Sequence, residues 1–289
     1  AQMISPGCSF SFDGLKQVML ACRPGIEMHL SEVSHLFVNY RTTKDVLDVA
    51  NEVLHVIRHH FPGALTVGKR EKAKKDLKQK IVLCERTLAL SQDVKLKANQ
   101  AIVFSSESAA DTRQELVDWI GEHPFILSSI DSKGLEFDDV IVVFDHPRKT
   151  WQPERQSDTT LRMLRELYVA ITRAQKRVVI LFNKTVPAML SFFQTLNYDF
   201  ETESADMVLQ EFDTVSSSED WMQKAADFVK NLQFSMAARC FNIAGDKSMF
   251  HWSSAKFYES EGEDAKSADH YLSALHAFAA VENFEKVLE

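Results

Sequence analysis

At 289 residues and 32.9 kDa, with 45% hydrophobic and 26% charged residues, the chain is long enough for one large domain or two ordinary ones with real cores. No window approaches eighteen uncharged apolar residues, and the opening AQMISPGCSF lacks a basic region with an apolar core behind it, so a nuclear or cytoplasmic protein, or a fragment of a longer one, is expected. The net charge of −8 is uneven: residues 1–200 carry 26 Lys/Arg against 24 Asp/Glu and residues 201–289 carry 7 against 17, which makes the tail a poor candidate for gripping a phosphate backbone.

After the Pro6-Gly7 turn, FDGLKQVML reads as a short helix and HLFVNY as a strand ending in Arg41. Thr43 is placed to cap a helix running to about His60, because Val46, Leu47, Val49, Ala50, Val53, Leu54, Val56 and Ile57 recur at three- and four-residue steps. His55, His59 and His60 have no HExxH order and no third ligand nearby, so they read as its polar face, and no metal is expected. Pro62-Gly63 closes the helix.

GALTVGKR, residues 63–70, fits the phosphate-loop pattern GxxxxGK except that Arg70 stands where Ser or Thr must bind magnesium. A phosphate loop also needs a buried strand in front of it and a helix packed behind it. Here a helix precedes it and a basic run follows, so the match is accidental. That run, Lys69 to Lys80, offers Lys69, Arg70 and Lys72 as nucleic-acid contacts, although a charge run without interleaved aromatics is usually a solvated face.

Strands follow at KIVLCE and AIVFSS, then a helix over ADTRQELVDWIGEH, then apolar runs FILSSI and VIVVF flanking DSKGLEFDD. A helix from about Thr160 to Arg173 leads into the strand RVVILF. Short apolar strands alternating with longer helices predict an α/β domain over residues 1–200, a parallel sheet with helices on both faces. Residues 201–219 are acidic and Ser-rich and read as a linker. Residues 220–289 carry four helical patterns, at about 220–232, 234–244, 248–261 and 264–282. AARCFNIAGD and ALHAFAAVEN align within them, near the period of tetratricopeptide repeats, which predicts a small, truncated all-α repeat domain. Cys8, Cys22, Cys84 and Cys240 lie far apart with no CxxC pair and read as reduced thiols.

Three stretches in order, LFVNYRTTKDVLDVAN (36–51), SSIDSKGLEFDDVIVVF (128–144) and LRELYVAITRAQKRVVIL (164–181), resemble motifs IV, V and VI of the UvrD/Rep group of superfamily 1 helicases. The opening AQMI resembles the end of motif III, so the resemblance covers about residues 1–184 and implies the second RecA-like lobe. With the helical tail appended, the chain is similar to the helicase-like region of large eukaryotic tetratricopeptide- and ankyrin-repeat proteins. Ile130 is a departure, standing where the family often has a strand-contacting His.

The resemblance implies that Arg41 and Arg173 reach the γ-phosphate of ATP, as would Gln2, that Tyr40 stacks on adenine and that Glu136 contacts the ribose. Gly134 lets the chain turn beside Lys133, a further nucleic-acid candidate. Arg41 at a strand end and Arg173 before a strand are expected where α/β sheets place ligand-facing residues. ATP with Mg2+ is expected to bind only together with a first lobe carrying Walker A and motif II, so the chain alone is expected to turn over little ATP. Single-stranded nucleic acid, DNA before RNA, is the expected track, with a protein partner at the acidic helical tail and no membrane. The alternative function is a non-catalytic, helicase-derived scaffold that binds partners through that tail.

Overall fold

The computed structural model describes residues 12–23, 37–64, 70–75, 79–85, 96–105, 109–144, 158–182, 187–212 and 215–280; Gln2, Cys8 and Lys69 lie outside them. The chain forms two compact units, one of Ala1–Ser91, Gln100–Trp119 and Phe125–Val208, the other of Gln92–Asn99, Ile120–Pro124 and Leu209–Glu289.

In the first unit, α1 (Phe12–Cys22) is followed by β1 (Val38–Thr43), α2 (Lys44–His60) and β2 (Lys72–Lys75). Six strands then make a parallel sheet: β3 (Val82–Glu85), β4 (Gln100–Phe104), β5 (Ile126–Ser128), β6 (Phe137–Val143), β7 (Ala174–Phe182) and β8 (Glu201–Ser204), in the order β5-β4-β6-β7-β3-β8. The inner strands are apolar throughout because both their faces are covered: Ile102, Ile141, Val179 and Ile180 are fully buried. From β4 the chain passes through α3 (Ala109–Ile120) to β5 on one side, and from β6 through α4 (Asp158–Ile171) to β7 on the other. Right-handed crossovers in opposite directions put α3 and α4 on opposite faces. The fold is α/β, a parallel sheet with helices, as expected.

α2 has the length that its spacing predicts, and its apolar stripe is buried from Val46 to Ile57. Thr43 occupies the cap position, yet its hydroxyl caps nothing; it donates to the Lys176 carbonyl at 3.0 Å and ties β1 to β7.

Two strands were not expected. β2, KAKK, lies in the basic run and pairs in parallel with β1, the Lys72 N–H donating to the Phe37 carbonyl at 2.7 Å. β8 lies in the acidic stretch read as a linker and pairs with β3, and α6 (Ala205–Phe212) follows it at once. Both are charged edge strands, held by main-chain pairing, which needs no apolar side chain.

The remaining helices are α5 (Pro187–Thr195), in the first unit, and α7 (Ser218–Lys230), α8 (Phe234–Ala244), α9 (Lys247–Ser260) and α10 (Asp264–Ala280). Consecutive members of α7 to α10 pack on one another, burying Trp221, Phe228, Ala237, Phe241, Ala274 and Phe278. Ser217 and Asp220 form a capping box at the start of α7, and Gly245 ends α8 at φ +84°. Gln92–Asn99 and Ile120–Pro124 belong to this unit: the Ala98 N–H donates to Ser216 Oγ at 3.0 Å, and His123 lies 5.6 Å from the Trp221 ring.

Candidate functional site

β1 is the first builder of the site. Asn39, a poor strand former, accepts the backbone N–H of Arg41 at 2.9 Å and of Thr42 at 3.1 Å on its own Oδ1. Between Asn39 and Thr43 the register with β2 slips, and such an irregularity re-aims a side chain. Arg41 Nη1 donates to Glu136 Oε1 at 2.7 Å, while Lys75 Nζ donates to the Arg41 carbonyl at 2.9 Å.

Glu136 is delivered by the turn after β5. Gly134 takes φ +87°, a conformation that side chains other than glycine rarely adopt, and Leu135 and Phe137 then anchor the chain in the core. With Oε1 on Arg41, Glu136 accepts Gln175 Nε2 on Oε2 at 2.8 Å. Neither Asn39 nor Gln175 is legible as a site residue in the sequence. The one signal available was an Asn inside an apparent strand.

Arg173, at the carboxyl end of α4, is only 5% exposed. Its Nε donates to the Val169 carbonyl at 3.1 Å, Nη1 to the Leu135 carbonyl at 3.1 Å and Nη2 to Thr172 Oγ1 at 3.3 Å. The residue clamps the last turn of α4 to the turn that presents Glu136, and two of the five guanidinium N–H groups remain for another acceptor. Burial first, and then repulsion from Arg41, lower its pKa, with Glu136 opposing. The two arginines thus share one neighbourhood with the Glu136 carboxylate, which pairs with Arg41.

The cluster stands at the amino ends of β6 and β7, the reverse of the carboxyl-end placement expected from open α/β sheets. That rule concerns groups feeding a crevice from within one sheet, whereas Arg41 reaches in from a separate two-stranded sheet. Arg41 Nε is buried and lacks a hydrogen-bond partner. Leaving a buried donor unmade is costly, so a site that ends in one suits an anionic or hydroxylic acceptor.

Tyr40, next to Arg41, is 68% exposed and offers a free ring face. The other predicted residues do not gather here. Arg70 is held on α2 by Asp48 at 3.3 Å and Glu52 at 3.0 Å, which leaves little positive charge for a phosphate. Lys72 is exposed on β2, and Lys133 is exposed in the turn after β5, beside Ile130. α2, not a strand, precedes Gly63, as the accidental reading of the phosphate-loop match requires. Among the described residues no group of three or more His, Cys, Asp or Glu could hold a metal ion, and no helix is long and apolar enough to cross a membrane.

The chain is similar to human TPR and ankyrin repeat-containing protein 1, 22% identical over 308 residues that take in 85% of this chain and 10% of that protein. It thus spans about a tenth of this relative's length. Among solved structures it is similar to the C-terminal domain of a possible DNA helicase from Lactobacillus plantarum, at 16% identity and a TM-score of 0.31, covering 57% of this chain and 98% of that one. Residues 38–182, half of the chain, run from β1 through β7 and so contain Arg41, Glu136 and Arg173; they match the viral superfamily 1 RNA helicase core domain, and the chain belongs to that family.

Proposed function

We propose that this chain carries the C-terminal motor lobe of an ATP-dependent superfamily 1 helicase or translocase of the UvrD/Rep kind. The observation that supports this reading most is that Arg41, paired with Glu136, and Arg173, clamped to the carbonyl of the adjoining Leu135, share one neighbourhood, with one buried Arg41 donor left unspent. Such a cluster suits the charge that develops on a transferring phosphoryl group, since permanently protonated guanidinium donors held in place need no reorganisation as the charge appears.

In this reading Arg41 and Arg173 contact the γ-phosphate as it transfers, and Gln2 is a further contact to it. Glu136 accepts a ribose hydroxyl, Tyr40 stacks on adenine, and Gly134 keeps the turn open. ATP supplies the phosphoryl group when bound with its Mg2+ between this lobe and a first one. Lys72 and Lys133 face a single-stranded nucleic acid, with DNA favoured by the UvrD/Rep resemblance, and the acidic helices α7 to α10 serve a protein partner.

The test is nucleic-acid-stimulated ATP turnover by the protein that carries both lobes. Arg41→Ala is expected to lower kcat by roughly a thousand- to a hundred-thousand-fold, about 4–7 kcal/mol of transition-state stabilisation, with a small change in KM. Turnover that survives this substitution contradicts the proposal.

A further inference from the structure

The ion pair in the arginine cluster is made with one bond where two are possible. A guanidinium and a carboxylate often meet through two parallel N–H···O bonds. Among the described residues the Arg41 side chain donates only through Nη1, to Glu136 Oε1 at 2.7 Å, and its buried Nε has no hydrogen-bond partner. The second carboxylate oxygen, Oε2, accepts Gln175 Nε2 at 2.8 Å. An ionised carboxylate only accepts, so the Gln175 amide must turn its NH2 group toward it.

Strand register aims Gln175 at this position. β6 and β7 pair Phe137 with Ala174 and Asp139 with Arg177, so β7 spends three residue steps where β6 spends two. The extra residue is a bulge at Gln175 and Lys176, and a bulge turns side chains out of the regular alternation. The Lys176 carbonyl accepts the Thr43 hydroxyl at 3.0 Å, and Lys176 Nζ pairs with Asp138 at 2.9 Å, so the bulge is held on both sides. Arg41 stands at a slip in the register of β1 and Gln175 at one in β7. Two irregularities, on two different sheets, therefore deliver two donors to one carboxylate.

We propose that Gln175 is a positioning residue that keeps Arg41 available to the γ-phosphate. By holding Oε2 toward β7, it limits Glu136 to a single bond with Arg41, and a single bond in a half-exposed pair is readily exchanged for a phosphoryl oxygen. When Arg41 turns to the phosphate, Gln175 retains the carboxylate, and Glu136 stays aimed at the ribose hydroxyl. Without Gln175 the carboxylate rotates and takes Arg41 with both oxygens, which withholds the guanidinium from the nucleotide. The consequence for ATP rests on the proposed motor reading, whereas the exchange of bonds rests on the geometry of the three side chains.

The experiment has two arms. The first treats the 289-residue chain with p-hydroxyphenylglyoxal, a dicarbonyl that closes on two guanidinium nitrogens, and follows Arg41 by peptide mass spectrometry against the exposed Arg23. Gln175→Met keeps the length of the side chain and removes the donor. It is expected to slow the labelling of Arg41 about tenfold, and adding Glu136→Gln, which removes the carboxylate, is expected to restore it. A merely structural role for Gln175 would leave Arg41 looser and label it faster. Labelling unchanged or faster in Gln175→Met overturns the proposal, as does slowing that persists in the double variant. The second arm uses the protein carrying both lobes. The ratio of its affinities for ADP with aluminium fluoride and for ADP is expected to fall about tenfold in Gln175→Met and to recover in the double variant. A ratio that does not move while labelling responds leaves Gln175 as the holder of Glu136 and contradicts the γ-phosphate role of Arg41, so the two failures are told apart.

Discussion

Arg41 and Arg173 resemble each other in sequence and differ in what they do for the fold. The Arg173 guanidinium is buried and satisfies the carbonyls of Val169 and Leu135, whereas the Arg41 side chain is 39% exposed and makes one ion pair with a similarly exposed carboxylate. Losing Arg173 strands the buried Leu135 carbonyl, at about 1–3 kcal/mol, whereas the Val169 carbonyl keeps the Thr172 hydroxyl, and a half-exposed ion pair contributes about 0–1 kcal/mol. Arg173→Ala is therefore expected to destabilise the chain by roughly 1–3 kcal/mol and Arg41→Ala by less than about 1 kcal/mol, read from urea midpoints at unchanged slope. Equal losses would remove the distinction. The same contrast makes Arg41 the cleaner probe of chemistry, because a lost Arg173 disturbs the turn that carries Glu136 as well.

The inner strands were legible at the scale of elements because their residues are apolar on both faces, and α2 and the four C-terminal helices because their spacing repeats. β2 and β8 were not, since KAKK and ETES carry no apolar signal and become strands only when β1 and β3 offer them a main-chain edge. Arg41, Glu136 and Arg173 were legible through ordered motifs. Asn39 and Gln175 were not, because Gln175 acquires its role by meeting a carboxylate 39 positions away and Asn39 by shaping two amides of its own strand. His123, between α3 and β5 and against Trp221 of α7, was equally hidden. Burial lowers its pKa to about 4, a hydrogen bond with the Leu96 backbone opposing. The unfolded chain takes up a proton near pH 6.5 that the folded chain refuses, so this stability is whole above pH 6.5 and is lost as pH falls through about 4. Between pH 7 and 4.5 the loss from this group is expected to be roughly 2 kcal/mol. Comparing unfolding of the parent with His123→Leu at both pH values isolates it, and an identical pH dependence in the two would refute the assignment.

For the whole molecule, the uneven charge decides where a polyanion can bind. Residues 201–289 carry a formal charge of −10, from 7 Lys/Arg against 17 Asp/Glu, so any grip on a single strand belongs to the α/β unit. Lys72→Ala and Lys133→Ala are each expected to reduce the steepness of log Kobs against log salt by about 0.7. Arg70→Ala should leave it unchanged, because Asp48 and Glu52 already hold that cation. A slope that shifts only with Arg70 would reverse the placement of the strand.

The central claim is that Arg41 recognises the γ-phosphate as it transfers and contributes little to holding the nucleotide beforehand. Affinity for ADP with aluminium fluoride, set against affinity for ADP, measures this directly in the protein carrying both lobes. Arg41→Ala is expected to weaken the aluminium fluoride complex by about a hundredfold or more while ADP binds as before, since analogues of the transition state exceed ground-state affinity by at least about that factor. Equal affinities of Arg41→Ala and the parent for both ligands would contradict the claim.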